Sequence, residues 1–300
     1  MYHRLPLQLL VLTPSRFRIG EKRDGREPGT NIAWQTKWNF IHMLTKTDQR
    51  KESIRTLLKG IETGDEAATA VVNPNQYIQH NPQTSEGGEG LADLFKRLSK
   101  TSPKVNIVRI FSDGDFIFAH TEYDFSSRRI GFEVFRFEGE QTVEHWDNIQ
   151  PRLGPNKLGH SMVSGPTEVS EPHKTEVNRQ LVQVFVEEIL INRELQCLAG
   201  YFDADNFIDH SPEAEDGLSA LRARLSATTP NGDFIVRYDK VHRVLAEGDF
   251  VLTVSEGVKH GVHSSFYDLF HVSNLKLVEH WDTTEAIPAQ SQWKNNNGKF

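Results

Sequence analysis

The sequence predicts an α+β fold built twice in tandem, and three observations carry that prediction. Val143-Glu144-His145-Trp146-Asp147 recurs letter for letter as Val278-Glu279-His280-Trp281-Asp282, and further stretches match in the same order around it. Apolar residues in the first half of each copy keep helical spacing, and those in the second half alternate with the period of two of strands. At 300 residues the chain divides into two domains of roughly 130 residues, each able to bury a core.

The repeat extends well beyond the pentapeptide. Tyr77-Ile78-Gln79-His80-Asn81-Pro82 matches Phe207-Ile208-Asp209-His210-Ser211-Pro212, and Gly90-Leu91 matches Gly217-Leu218. Arg109, Gly114-Asp115-Phe116 and Phe132-Glu133-Val134-Phe135 match Arg243, Gly248-Asp249-Phe250 and Tyr267-Asp268-Leu269-Phe270. Small loop insertions separate the copies, because the offset grows from 130 at His80/His210 to 135 at His145/His280.

Five segments follow: an extension 1–46, a first domain 47–150, a linker 151–172, a second domain 173–288 and a tail 289–300. Weak periodicity makes the extension a poorly ordered segment, with a mitochondrial presequence as the other reading. Trp34, Trp38 and Phe40 could dock on the first domain. Ile54, Leu57, Leu58 and Ile61 predict a helix ended by Gly60 and Gly64, and Asp65 to Val72 a short second one. His80 follows on a strand or loop. Leu91, Leu94, Phe95 and Leu98 form the apolar stripe of the next helix, closed by Pro103.

From there the period is two. Strands are expected at Val105 to Arg109, Phe116 to Tyr123, Phe132 to Phe137 and Thr142 to Ile149. Helices first and an antiparallel meander after is the α+β order. The second copy repeats the plan, with a helix over Val177 to Leu190, another around Leu218, Leu221 and Leu225, and four strands between Ile235 and Asp282. The Gly-, Pro- and Ser-rich linker reads as flexible, with a reach of ~25 Å, and the Asn-rich tail as disordered.

Composition excludes several classes. The net charge is -7 and no basic stripe exists, which argues against nucleic acid as partner. No apolar run approaches the ~18 residues of a membrane span. One cysteine, Cys197, forms no intrachain disulfide and fits a reducing, cytoplasmic setting. The thirteen histidines show no metal-ligand spacing, and nucleophile-elbow, phosphate-loop and dinucleotide fingerprints are missing.

The order of helices, the Tyr77–Pro82 loop, and a meander through Phe135-Arg136-Phe137 to Glu144-His145-Trp146-Asp147 resembles the SnoaL-like polyketide cyclases of the nuclear-transport-factor-two superfamily. The resemblance covers nearly everything outside extension and linker. It implies two cones, each a curved, mostly antiparallel sheet wrapped by about three helices around one apolar pocket. It further implies cofactor-independent aldol or isomerase chemistry, although the superfamily also holds pure binding proteins.

Strand alternation puts Glu133, Phe135 and Phe137 on one face. A carboxylate between aromatics is desolvated and moves towards the range useful to a general base. The resemblance implies the acid/base at Asp268 and at Glu133, and a second polar group at His120, whose counterpart is Val254. The other reading of the carboxylates is a structural ion pair with Arg109 or Arg243. His80 and His210 could orient a substrate oxygen or close a loop through a backbone bond. Trp146 and Trp281, with Phe135 and Phe270, are expected to line the pocket on grounds of area, which leaves His145 and His280 on the outer face of the sheet.

The function expected is a cofactor-independent lyase or isomerase acting on a small apolar carbonyl compound without metal. The alternative is a non-catalytic binding or assembly module. Tethering favours an internal pseudo-dimer of the two domains over pairing between chains.

Overall fold

The computed structural model describes residues 45–203 and 206–300, so the expectations for 1–44, including Trp34, Trp38 and Phe40, lie outside the described residues. Helix α1, Lys46–Thr63, begins where Thr45 and Asp48 cap each other reciprocally and ends at Gly64, whose φ of 69° suits a residue without Cβ. Its buried stripe is Ile54, Leu57, Leu58 and Ile61. A 3-10 turn over Glu66–Val71 leads to strand β1, Ile78–Gln79, and helix α2, Gly87–Ser99. The meander follows as β2 Lys104–Asp113, β3 Phe116–Asp124, β4 Arg128–Glu138 and β5 Gln141–Pro151.

The second copy has helix α3, Thr175–Phe185, running on as a π-helical turn over Val186–Ile191. Strand β6, Ile208–Asp209, helix α4, Leu218–Ser226, and strands β7 Val236–Glu247, β8 Phe250–Lys259, β9 Val262–Ser273 and β10 Lys276–Ala286 complete it. The two sheets have the same topology, β1-β5-β4-β3-β2 and β6-β10-β9-β8-β7, with only the short first strand parallel. Each is the α+β arrangement expected. Among the described residues no helix is long and apolar enough to cross a membrane.

Both faces of each sheet are buried. One face of the first sheet packs on α1 and α2 through Leu57, Leu91, Ile117 and Phe135, and one face of the second on α3 and α4 through Phe185, Leu221 and Phe270. The remaining faces meet in a shared layer of Phe111, Phe118, Phe132, Val134 and Trp146 against Leu245, Phe250, Leu252, Leu269 and Trp281. Burying each indole removes roughly 200 Å² from water, an upper bound of about 5 kcal/mol apiece. That gain is why the tryptophans occupy the dry layer between the sheets.

The segments leaving the two sheets correct the sequence reading. Residues 151–172 are no free tether, and 289–300 are no disordered tail; both lie as straps along the opposite repeat. Asn156 Nδ2 donates to the Asp209 carbonyl at 2.8 Å, and Asn297 Nδ2 donates to the matching Gln79 carbonyl at 3.0 Å. The Ser161 carbonyl meets His210 Nδ1 at 2.9 Å, as the Gly298 carbonyl meets His80 Nδ1 at 3.0 Å. Gly165, at φ 96°, lets the first strap lie against Trp281, where a Cβ would come within 2.7 Å of the ring. The Gly, Pro and Asn content that reads as flexibility supplies strap turns and side-chain amides instead.

Candidate functional site

Each repeat encloses a cavity between its sheet and its helices, of about 610 Å³ in the first and about 490 Å³ in the second. Apolar walls come from Leu57, Leu91, Phe95 and Phe135 in one, and from Phe185, Leu221, Phe266 and Phe270 in the other. The chain leaving each sheet finishes the walls crosswise: Pro288, Gln292 and Lys294 line the first cavity, and Gln150, Pro151 and Leu153 the second.

On the first sheet, Glu133 stands opposite Ala119 on β3 and Asp147 on β5, buried and facing the cavity. Its Oε1 accepts from the Tyr123 hydroxyl at 2.5 Å, and its Oε2 lies 2.7 Å from His145 Nε2. His145 Nδ1 in turn lies 3.1 Å from Gln79 Oε1. Burial pushes the Glu133 carboxyl up, against the pull of the His145 and Tyr123 hydrogen bonds. Asp147 accepts from Asn81 Nδ2 at 2.7 Å and from Lys299 Nζ at 3.4 Å, and Lys299 also pairs with Glu285 at 2.6 Å.

The second repeat keeps the plan and changes the charges. Asp268, opposite Thr253 and Asp282, accepts from Tyr238 Oη at 3.1 Å and lies 3.0 Å from His280 Nε2. Where Gln79 stands in the first copy, Asp209 stands here, 3.2 Å from His280 Nδ1 and 2.8 Å from Arg224. Burial alone would lower the His280 pKa, but the Asp209 and Asp268 carboxylates outweigh it and push it up to about 10. Burial would likewise raise Asp209, yet Arg224 and His280 hold it well below the usual carboxylate range. Asp268 itself is pushed up by burial, with His280 opposing. The imidazolium is therefore locked between two acids.

The cavities take in some of the side chains that the sequence suggests and exclude others. Glu133, Asp268, Phe135 and Phe270 line the cavities. Trp146 and Trp281 do not; they fill the layer between the sheets, and His145 and His280 take the cavity positions. A β-bulge is the cause. From the Glu138–Gln141 turn, Phe137 pairs with Thr142, and an unbroken ladder would set Trp146 opposite Glu133; the shift after Arg136 sets Asp147 there instead. The same shift between Leu277 and Glu279 does this in the second copy.

His120 also lies away from the cavity. It pairs with Phe132 rather than Glu133 across β3 and β4, stacks on Phe132 at 4.4 Å and contacts Arg109 at 3.0 Å. Burial, reinforced by Arg109, drives its pKa well below the ordinary value. His80 and His210 stack on Trp146 and Trp281 and bond to Glu144 and Glu279 at 2.9 and 3.0 Å. Sequence reasoning missed Tyr123, Tyr238, Asp147 and Gln79, because which face of each strand meets the cavity is set by the register shifts and not by the alternation alone.

The alternative of an Arg-paired carboxylate does not hold: Arg109 lies over Trp281 and Arg243 over Trp146. Among the described residues, the ion-pair partners of Glu133 and Asp268 are His145 and His280. Glu133, His145 and Asp147 offer ligand atoms within 4.8 Å of one another. A cation seated among them would have to break the Glu133–His145 bond and displace the Lys299 ammonium.

No family model and no curated protein matches the chain. Among solved structures it is similar to a candidate ketosteroid isomerase from Kribbella flavida, with 15% identity and a TM-score of 0.33 over 39% of this chain and 83% of that one. It is similar to an M. tuberculosis LEH-like epoxide hydrolase, with 17% identity and a TM-score of 0.32 over 35% and 86%. It is also similar to a candidate polyketide cyclase from Bacillus cereus, with 15% identity and a TM-score of 0.32 over 34% and 75%.

Proposed function

We propose that the chain is a cofactor-independent isomerase- or cyclase-like protein that moves a proton at the carbon beside a carbonyl in a small, largely apolar compound. One observation carries the reading. Each cavity buries a carboxylate, Glu133 or Asp268, that pairs with no arginine among the described residues and that a tyrosine and a histidine hold in place. Such a carboxylate stays ionisable yet is a stronger base than one in water. It would take the α-proton, the C–H electron pair would form the enolate, and the resulting acid would return the proton to carbon or assist ring closure.

The second repeat also supports a binding reading. Its His280–Asp209–Arg224 lock satisfies the cavity's charges internally, as a ligand-holding cavity without turnover would. The test is exchange of α-hydrogen for deuterium in D2O, followed by NMR over a panel of cyclic ketones and β-keto esters. Exchange is expected with the wild-type chain and should vanish in the Glu133→Gln, Asp268→Asn double variant. Exchange surviving that variant sinks the reading, and the single variants assign it to a cavity.

A further inference from the structure

We infer that the Tyr77 hydroxyl is the hydrogen-bond donor that receives the substrate's carbonyl oxygen in the first repeat, which makes that cavity the one suited to an enolisable ketone. The inference rests on the proton-transfer reading and names the group missing from it, because a base alone leaves the enolate oxygen without a donor.

Tyr77 is 4% exposed, lines the first cavity together with Glu133 and Asp147, and its hydroxyl has no hydrogen-bond partner among the described residues. A buried phenol ordinarily finds a partner, because leaving water unpaired is costly. Tyr123, the cavity's other tyrosine, is already committed to Glu133. Tyr77 stands two residues before Gln79, which holds His145, so the segment that fixes the base's partner also places the donor. In the second repeat the matching residue is Phe207, which lines the other cavity without a hydroxyl. The two cavities therefore share a base and differ in the donor.

The step balances without a co-reactant. Glu133 takes the α-proton, the C–H pair becomes the C=C bond, and the carbonyl π pair moves to oxygen. Tyr77 keeps its proton and donates a hydrogen bond to that oxygen. Glu133 then returns the proton to carbon.

The probe is 4-nitrophenol, a planar apolar body with an enolate-like oxygen, titrated into the full chain and followed by absorbance. One tighter site per chain is expected, weakened at least tenfold by Tyr77→Phe. The Phe variant should melt at or above the wild-type temperature, since it removes an unpaired hydroxyl and installs the residue found at Phe207. As a check needing no variant, 4-nitrotoluene, which lacks the oxygen, should bind the wild type at least tenfold more weakly. Equal binding by wild type and Tyr77→Phe, equal affinity for both probes, or no wild-type binding overturns the assignment. Tyr77-dependent binding without any α-hydrogen exchange would instead sink the proton-transfer reading and leave the donor standing.

Discussion

Arg109 of the first repeat lies over the ring of Trp281 in the second, its guanidinium carbon 4.2 Å from the ring centroid. Arg243 returns the contact over Trp146 at 3.8 Å. Each indole also carries a histidine of its own repeat, His210 or His80, stacked at 4.6 Å. Each tryptophan is thus held between its own copy and the other, and the repeats are joined by an exchange of equivalent residues.

The two arginines should differ in cost. Arg109 is buried and donates to the Ser164 and Pro166 carbonyls at 2.7 Å each, whereas the half-buried Arg243 rests on stacking. Arg109→Ala is expected to lose about 3 kcal/mol, since two carbonyls also lose their donor, and Arg243→Ala about 1 kcal/mol. Urea unfolding at neutral pH measures both.

Activity in the first cavity should fall as pH drops, because only the ionised Glu133 accepts a proton. Burial raises that carboxyl, so the fall is centred above the ~4.3 of a free glutamate. Glu133→Gln should lower the rate by about 100-fold or more at every pH. A pH–rate profile on the exchange reaction reads both.

His280 should make stability pH-dependent on the alkaline side. Its folded pKa, about 10, exceeds the unfolded value of ~6.5. The contribution is therefore complete below the unfolded value and is lost as pH rises through about 10. Its size is on the order of a few kcal/mol. The difference in unfolding free energy between wild type and His280→Gln, taken at pH 6, 8 and 10, should shrink across the series.

Lys299 should matter more than a lysine usually does. It is buried beside Asp147 and Glu285, and although burial alone would lower its pKa, those carboxylates raise it above the ordinary lysine value. Lys299→Met leaves two enclosed acids without their cation, a loss of about 3 kcal/mol near neutrality. Hydrogen exchange should show the amides of 79–86, where the strap docks, losing protection first.

The exchange of arginines and straps lies within one chain, so an internal pair is expected in place of pairing between chains. Light scattering should return 34.2 kDa across a concentration series, and a constant doubled mass would contradict an internal pair.

Much of this architecture was legible in the residues. The exact pentapeptide repeat, the helical stripe of Ile54 to Ile61 and the alternation around Glu133 placed both sheets and both inward carboxylates. What alternation could not settle was which neighbour shared the carboxylate's cavity. With both sheet faces buried, burial does not separate Trp146 from His145, and the choice falls to the bulge after Arg136, which has no compositional mark. The straps were hidden for a related reason: turn-forming residues announce where the chain bends, and the partner it bends against lies in the other repeat.

Strap exchange also sets an order of events during synthesis. Gln150 to Leu153 leave the ribosome before the second repeat whose cavity they line, so that wall is waiting when β10 arrives. The first repeat has the reverse history: its helices and meander are made early, yet Pro288, Lys294 and Lys299 come more than a hundred residues after β5. Until then Asp147 lacks its cation and the cavity lacks a side. The earlier-born half of the molecule is therefore the last to be finished, and the nascent chain passes through a stage in which its older cavity stands open.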